Sequence, residues 1–256
     1  MYIVFDIGGT NLRLASSTDG KTIDGKVIFP TPQNFEEAIK LLELEISKLN
    51  EGQPITAIAG GIPAVLNKDK TEIINVANLP NWSGKNLVTK LAKMFNCPVQ
   101  LENDAVLGAL GEANFGAGQN IANFIYITIG TGIGGAWIIN GAPVSGSYSF
   151  NIGHQIIDPS GPLCKACQLP GHWEAYIKHP DFKKYLTIGL YNTLLHWPTD
   201  TIILGGGLTL NRGWDMPSLQ ADLQELTKRQ SKNIEIKISS LGDPAGLHGA
   251  LALLNV

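Results

Sequence analysis

The chain reads as an α/β protein, a mixed sheet covered by helices, with one glycine-turn hairpin present in two copies. Three observations predict this. Apolar, β-branched runs of strand length alternate with amphipathic stretches of helical spacing, the rhythm of a sheet flanked by helices. A glycine-turn hairpin near the start, FDIGGTNLRLA, has a second copy in the middle of the chain, ITIGTGIGGAW. The 256 residues suffice for one large domain or two modest ones, since single cores stop growing near ~250–300 residues.

Composition sets the outer limits. A content of 44% hydrophobic and 16% charged residues describes a folded, lightly charged protein. The net charge is −3 and the basic residues are scattered, so neither nucleic acid nor a membrane surface is the expected partner. The opening MYIVFDIGG has no basic segment and no small-residue cleavage site, so it is not a signal peptide and a cytoplasmic location is expected. Residues 113–157 contain no Asp, Glu, Lys or Arg. Nine glycines interrupt that run and its apolar pieces are strand-length, which suits a charge-free cleft wall and not a membrane span. Of three cysteines, two share one short motif, which fits a reducing compartment and metal or packing roles.

Taken in order, Tyr2 to Phe5 is a strand, Gly8-Gly9 breaks it, and Leu12-Arg13-Leu14 alternates as a half-buried strand does. Asp6 ends the first strand. Gly8, Gly9 and Thr10 let backbone N–H groups and a hydroxyl approach an anion closely. A carboxylate beside such a turn would repel a bare phosphate, and is accounted for if Mg²⁺ lies between them. An ordinary Gly-Gly hairpin accounts for the stretch alone equally well. The second copy shifts the balance: Asp6 falls on Thr128, Ile7 on Ile129, Gly8 on Gly130, Gly9 on Thr131 and Thr10 on Gly132. Two such hairpins suit a grip on a polyphosphate from both sides, one bringing a metal carboxylate and the other only amides and hydroxyls.

Asn34 to Asn50 predicts a helix capped by Asn34 with Glu37 reaching back, its apolar residues Phe35, Ile39, Leu42, Ile46 and Leu49 on one face. Pro54 to Gly61 is a buried strand, Asn75 to Trp82 a polar turn, and Asn86 to Phe95 an amphipathic helix ending before Cys97-Pro98. Val99 to Asp104 is a strand ending in polar residues, followed by a helix from Ala105 to Asn114. Asn103 and Asp104 then lie at a strand's carboxyl end, where ligands bind in open α/β folds, and Asp104 is also placed to cap that helix. Phe124 to Ile129 and Gly135 to Ile139 form the second hairpin, and Asn140-Gly141 a further tight turn. In GHQIIDPSGPLCKACQLPGHWE, His154, Cys164, Cys167 and His172 offer four N/S ligands suited to structural zinc, the alternative being two buried thiols. Asp181 to Leu195 is a helix. Thr201 to Leu204 is a strand feeding Gly205-Gly206-Gly207, a loop that admits a phosphate or flat base or serves as a linker. A small-residue apolar helix follows LGDPAGLHGA.

The motifs DIGGTNLR, LENDAVLGALGE, ITIGTGIGG, Gly-His with a cysteine cluster, ILGGG and LGDPAGLHGA stand in the order seen in ROK-family sugar kinases, and the chain resembles that family over nearly its whole length. The resemblance implies the sugar kinase/Hsp70/actin fold: two ribonuclease H-like α/β domains around an ATP cleft, residues 1–116 plus 243–256 and residues 117–242. It implies phosphoryl transfer from ATP-Mg²⁺ to a hexose or N-acetylhexosamine. By position, Asp104 matches the catalytic base, and Asn78, Asn103, Asn151, His154 and Glu174 fall on the sugar side. Asp6, the magnesium ligand, with Gly8, Gly9, Thr10 and Asn11 matches the first phosphate loop. Gly130, Thr131 and Gly132 match the second, and Gly205, Gly206 and Gly207 the adenosine side. His154 matches a residue that is both a zinc ligand and close to the sugar.

The chain departs from the family at three places. Asn151 stands where the family has a sugar-contacting glutamate, the cysteine cluster is Cys164, Cys167 and His172 where Cys-x-Cys…Cys is usual, and residues 174–201 are shorter than the family's helical segment. The first and third motivate a non-catalytic sugar- or nucleotide-binding protein as the alternative, with ATP hydrolysis coupled to a partner protein behind it. No helix-turn-helix precedes Met1 in this sequence, so the family's repressor branch is not expected. The motifs fit ATP or polyphosphate as donor, name no particular sugar, and leave a homodimer open.

Overall fold

A computed structural model of the chain describes residues 1–144, 150–211, 213–230, 233–242 and 244–255. The chain divides into two compact units, Met1–Asn114 with Pro244–Val256, and Phe115–Val144 with Phe150–Asp243. The first boundary falls two residues before the expected one, at the end of a helix. Asp243 of the LGDPAGLHGA motif lies outside the described residues.

In the first unit the elements run β1 (Tyr2–Ile7), β2 (Asn11–Ser17), β3 (Gly25–Pro30), α1 (Phe35–Leu49), β4 (Ala57–Ile62), β5 (Val65–Leu66), β6 (Ile73–Asn75), α2 (Leu87–Phe95), β7 (Val99–Asn103) and α3 (Asp104–Phe115). The second unit holds β8 (Asn123–Ile129), β9 (Ile133–Ile139), β10 (Ala142–Pro143), α4 (Phe182–His196), β11 (Thr201–Gly205), α5 (Gly207–Asn211), α6 (Met216–Thr227) and β12 (Glu235–Ile238). The last helix, α7 (Ala245–Leu253), returns to the first unit and packs on β1, β2 and β4.

The sheet of the first unit has the order β3-β2-β1-β4-β7, and that of the second β10-β9-β8-β11-β12. In each, the central strand pairs antiparallel with the next strand in sequence and parallel with a later one. The repeat read from the sequence is therefore a repeat of topology. β1 ends at Ile7 and β8 at Ile129, the positions that the alignment pairs, and β2 and β9 start at the paired Asn11 and Ile133. The two turns close differently: Gly8 N donates to Asn11 O at 2.8 Å, and Gly130 N to Gly132 O at 2.9 Å.

Local chemistry accounts for the helices of the first unit. Asn34 Oδ1 accepts from Glu36 N at 2.9 Å and Glu37 N at 3.2 Å, and α1 buries Phe35, Ala38, Ile39, Leu42 and Ile46 along one stripe. Its neighbour Glu36 pairs with Lys90 of α2, at 2.6 Å. Asn86 caps α2 through Thr89 N at 2.8 Å, and Asn96 ends it in a left-handed conformation, φ 50°.

The turn at Asn75–Trp82 is more than a polar loop. Pro80–Trp82 is a short 3₁₀ turn that drives Trp82 fully into the core, edge-on to Phe35 at 5.3 Å, with its indole N–H donating to Pro32 O at 3.2 Å. Each unit has its own apolar core, one around Phe5, Leu42 and Trp82, the other around Trp173, Leu186 and Leu204. Among the described residues no helix is long and apolar enough to cross a membrane.

Candidate active site

In the first unit the predicted residues collect at the carboxyl ends of the parallel strands β1, β4 and β7. Asp6 lies beside Gly61, and Gly61 beside Glu102, so the Asp6 and Glu102 backbones are two strand spacings apart, roughly 10 Å. The Gly8–Asn11 turn is tied down by Thr31, whose hydroxyl donates to Gly8 O at 2.7 Å and whose N–H donates to Thr10 O at 2.8 Å. Asn78 packs on this turn: a Cβ at Gly9 would stand 2.8 Å from the Asn78 Cβ. Gly8, Gly9, Thr10, Asn11 and Asn78 thus form one accessible patch beside Asp6.

Two residues near Asp6 escaped the sequence reading. Arg13, its cross-strand partner in β2, places a guanidinium 3.7 Å from Asp6 Oδ2. A charged residue between Leu12 and Leu14, facing Asp6 across a short turn, was the available signal. Gly246 in the first turn of α7 lies so close that an added Cβ would be 2.7 Å from the Asp6 carboxyl. No local pattern marks that contact, since the two residues are far apart in sequence.

The end of β7 corrects one expectation. Helix α3 starts at Asp104, not at Ala105, because Asn103 takes the capping role: its Oδ1 accepts from Ala105 N at 3.0 Å. Asn103 Nδ2 donates to Ala64 O at 3.3 Å. Asp104 is carried into the first turn, where its Oδ1 also accepts from Ala105 N, at 2.9 Å. Burial pushes the Asp104 carboxyl above the ordinary aspartate range, against the lowering effect of the Ala105 N–H. A half-buried carboxylate with raised basicity is suited to accept a proton.

In the second unit Gly130, Thr131 and Gly132 follow β8, and Gly205–Gly207 follow its parallel neighbour β11, with Gly205 beside Thr128 in the register. Gly206 has φ +87°, and a Cβ there would stand 2.4 Å from Ile129 O, so only glycine lets the second loop lie against the end of β8. Thr209 closes the corner by donating to Gly205 O at 2.7 Å.

Beyond this lies the Cys/His segment. His154 sits on a 3₁₀ turn held against β9 by Gly153, where a Cβ would meet Ile133 O at 2.2 Å. Glu174 sits on the turn Trp173–Tyr176, anchored by the fully buried Trp173 packed on Gly189 of α4. The donor atoms of His154, Cys164, Cys167 and His172 all lie within 4.8 Å of one another. His172 Nδ1 is 3.1 Å from His154 Nδ1 and 3.2 Å from Cys167 Sγ. The edges of a tetrahedron with zinc–ligand bonds of ~2.0–2.3 Å are about 3.3–3.8 Å, so these donors, some slightly closer than that and none more than 4.8 Å apart, would close on such an ion with small side-chain shifts.

Burial, then His154, lowers the His172 pKa and favours its neutral, ligating form. Burial and a hydrogen bond to Glu174 push the Cys164 thiol up to about 12. Cys164 Sγ donates to Glu174 Oε1 at 2.9 Å, His154 Nε2 is 3.7 Å from the same oxygen, and a Cβ on Gly132 would be 2.9 Å from Glu174 Oε2. Glu174 therefore links the Cys/His cluster to the second glycine turn. Asn151, one residue ahead of the turn that carries His154, is exposed.

Residues 2–187 match the model of the ROK family. The chain belongs to the ROK family. A ROK relative, the glucokinase of Thermotoga maritima, is 31% identical over 189 residues, covering 72% of this chain and 59% of the relative. The xylose repressor of Bacillus subtilis is 29% identical, covering 75% of this chain and 59% of the repressor. This chain thus spans about three fifths of the length of either relative. The ROK hexokinase of Thermus thermophilus has the same fold, with a TM-score of 0.81 at 27% identity over 99% of this chain and 98% of that one. The fold is accordingly the actin-like ATPase fold of ROK sugar kinases, with one mixed sheet in each unit.

Proposed function

We propose that this protein transfers a phosphoryl group from ATP to a hydroxyl of a hexose or N-acetylhexosamine. One observation carries the reading: Asp104, at the carboxyl end of β7, is half-buried with its basicity raised, as a general base for a sugar hydroxyl should be. Phosphoryl transfer is largely positioning and charge stabilisation, with one carboxylate to take the hydroxyl proton. Asp104 would accept that proton while Asn103, Asn78, His154 and Glu174 orient the sugar.

Asp6 would hold Mg²⁺, which screens the phosphate charge when bound, and Gly8, Gly9, Thr10 and Asn11 would present amides and hydroxyls to the phosphates. Gly130–Gly132 and Gly205–Gly207 would serve the nucleotide. Zinc at His154, Cys164, Cys167 and His172 would be structural, fixing the segment that carries Glu174. The glucokinase relative and the hexokinase structure support the reading.

A panel of hexoses and N-acetylhexosamines assayed for ATP-dependent phosphorylation tests it. Turnover on at least one sugar, lost in Asp104→Asn, is expected; turnover on none would overturn it. Asn151 and the repressor relative favour a second reading, a sugar sensor that binds without turnover. Calorimetric sugar binding with no phosphorylation would establish that reading instead.

A further inference from the structure

Two residues not yet given a role brace the corner that carries Asn103 and Asp104. Glu102, next to last in β7, is only 4% exposed, and its two carboxylate oxygens are used separately. One accepts the Asn103 N–H at 2.9 Å, and the other accepts from Lys70 Nζ. A buried carboxylate is costly unless it is paired and hydrogen-bonded, and here it is both.

Lys70 comes from the tip of the β5–β6 hairpin. That tip is fastened by Asn67, whose Oδ1 accepts from Thr71 N at 2.8 Å and Glu72 N at 3.0 Å. Lys70 N donates to Asn67 O at 2.9 Å. The Lys70 backbone is left-handed, φ +53°, a conformation that disfavours an ordinary L-residue by roughly 1–2 kcal/mol and that glycine or asparagine enters easily. A lysine in such a place points to a use for its side chain. The stretch leading into the hairpin touches the corner as well, because Ala64 O accepts from Asn103 Nδ2 at 3.3 Å.

We infer that the Lys70–Glu102 pair is a positioning device: it fixes the Asn103 peptide plane and, through it, the direction in which Asn103 and Asp104 leave the sheet. The inference rests on the phosphotransfer reading above. Neither residue needs to touch substrate. Lys70 neutralises Glu102 and holds its rotamer; Glu102 holds the Asn103 amide; Ala64 and Ala105 hold the two ends of the Asn103 side chain. Stability alone does not explain why a charged pair stands here: Glu102 is buried and Lys70 is 43% exposed, and apolar residues in place of both would be about as stable.

The test uses the full chain with Lys70→Met, Lys70→Gly and Lys70→Arg, on a sugar that the wild type phosphorylates. Lys70→Met and Lys70→Gly both leave the buried Glu102 without its cation, and Lys70→Gly offsets part of that cost by easing the left-handed backbone, so the kinetics of each are read on protein shown to be folded by its melting curve. Met and Gly variants should show kcat lowered about tenfold and sugar KM raised several-fold, because small displacements of positioned groups cost this much or more. Their ATP KM should stay within about twofold, and deuterium uptake at the 103–105 amides should quicken. Lys70→Arg should restore all of these.

Unchanged kcat and sugar KM in both variants would overturn the inference. So would a fall in melting temperature and active fraction with sugar KM untouched, which marks a merely structural pair. If the wild type phosphorylates no sugar, the phosphotransfer reading fails by itself; the deuterium uptake of Lys70→Met then still decides the positioning, and an unchanged rate overturns it.

Discussion

Gly246→Ala offers a one-atom test of the role given to Asp6. The added Cβ would stand 2.7 Å from the Asp6 Cγ and Oδ2 and 3.2 Å from Oδ1. Carbon atoms in ordinary contact are about 3.5–4.0 Å apart, so the carboxyl must retreat by roughly 0.8 Å or more. It can do so by rotating, because it is the far end of a side chain. The retreat also disturbs the 3.7 Å pair with Arg13.

Alanine is the better helix former by up to ~1 kcal/mol, which offsets part of the crowding, so the melting temperature should hardly move. A displacement near 1 Å at a charge-bearing group costs on the order of 10²-fold in rate. We expect kcat to fall between about tenfold and a hundredfold, with a higher Mg²⁺ requirement. The assay is ADP release against Mg²⁺ concentration, paired with calorimetry. Wild-type kcat and Mg²⁺ dependence in a folded Gly246→Ala protein would refute the assignment of Asp6 as the metal carboxylate.

Asp104→Asn should lower kcat on the order of 10²–10⁴-fold, and wild-type turnover would remove Asp104 as the base. The same variant has a pH signature. Because the folded pKa of Asp104 is raised, its stabilising contribution is complete below the unfolded pKa, about 3.9, and is lost as pH rises through the folded value. Asp104→Asn should therefore be more stable than the wild type at neutral pH, with the gain vanishing in acid, as urea midpoints at several pH values would show. Protein purified without added metal should carry about one zinc per chain, and reloading a chelated sample should release protons, since Cys164 holds its own in the metal-free state; metal analysis and a pH-stat check both. Trp82→Ala should lower stability by ~3–5 kcal/mol, as the urea midpoint reports, because it empties the fully buried space beside Phe35.

Much of the fold was legible because its signals are local. Asn34 announces its helix by capping chemistry, the stretch from Asn86 announces its own by an amphipathic spacing that stops before Cys97-Pro98, and the two glycine hairpins align to the residue with the ends of β1 and β8. Elements without such signals went unread. β3 alternates exposed and half-buried residues at the edge of its sheet, and β12 is a four-residue edge strand, EIKI, half of it charged. α6 buries only Leu219, Leu223 and Thr227, too sparse a stripe to stand out. At the candidate site, the positions of the proposed residues at strand ends and glycine turns were readable, whereas their supports were not. Arg13 beside Asp6, Gly246 over it, and Lys70 on Glu102 are set by the tertiary fold, and no sequence period encodes them.

The return of α7 to the first unit has a kinetic side. Gly249 presses so closely on α3 that a Cβ would meet Leu107 O at 1.8 Å, and Gly246 closes over Asp6. Both contacts must wait until the ribosome has made the whole of the second unit. At ~5–20 residues per second this leaves the β1–β4 face uncovered for many seconds. A nascent first unit is then an unfinished sheet whose Asp6 corner is assembled last, so during synthesis its exposed face is a natural client for a chaperone.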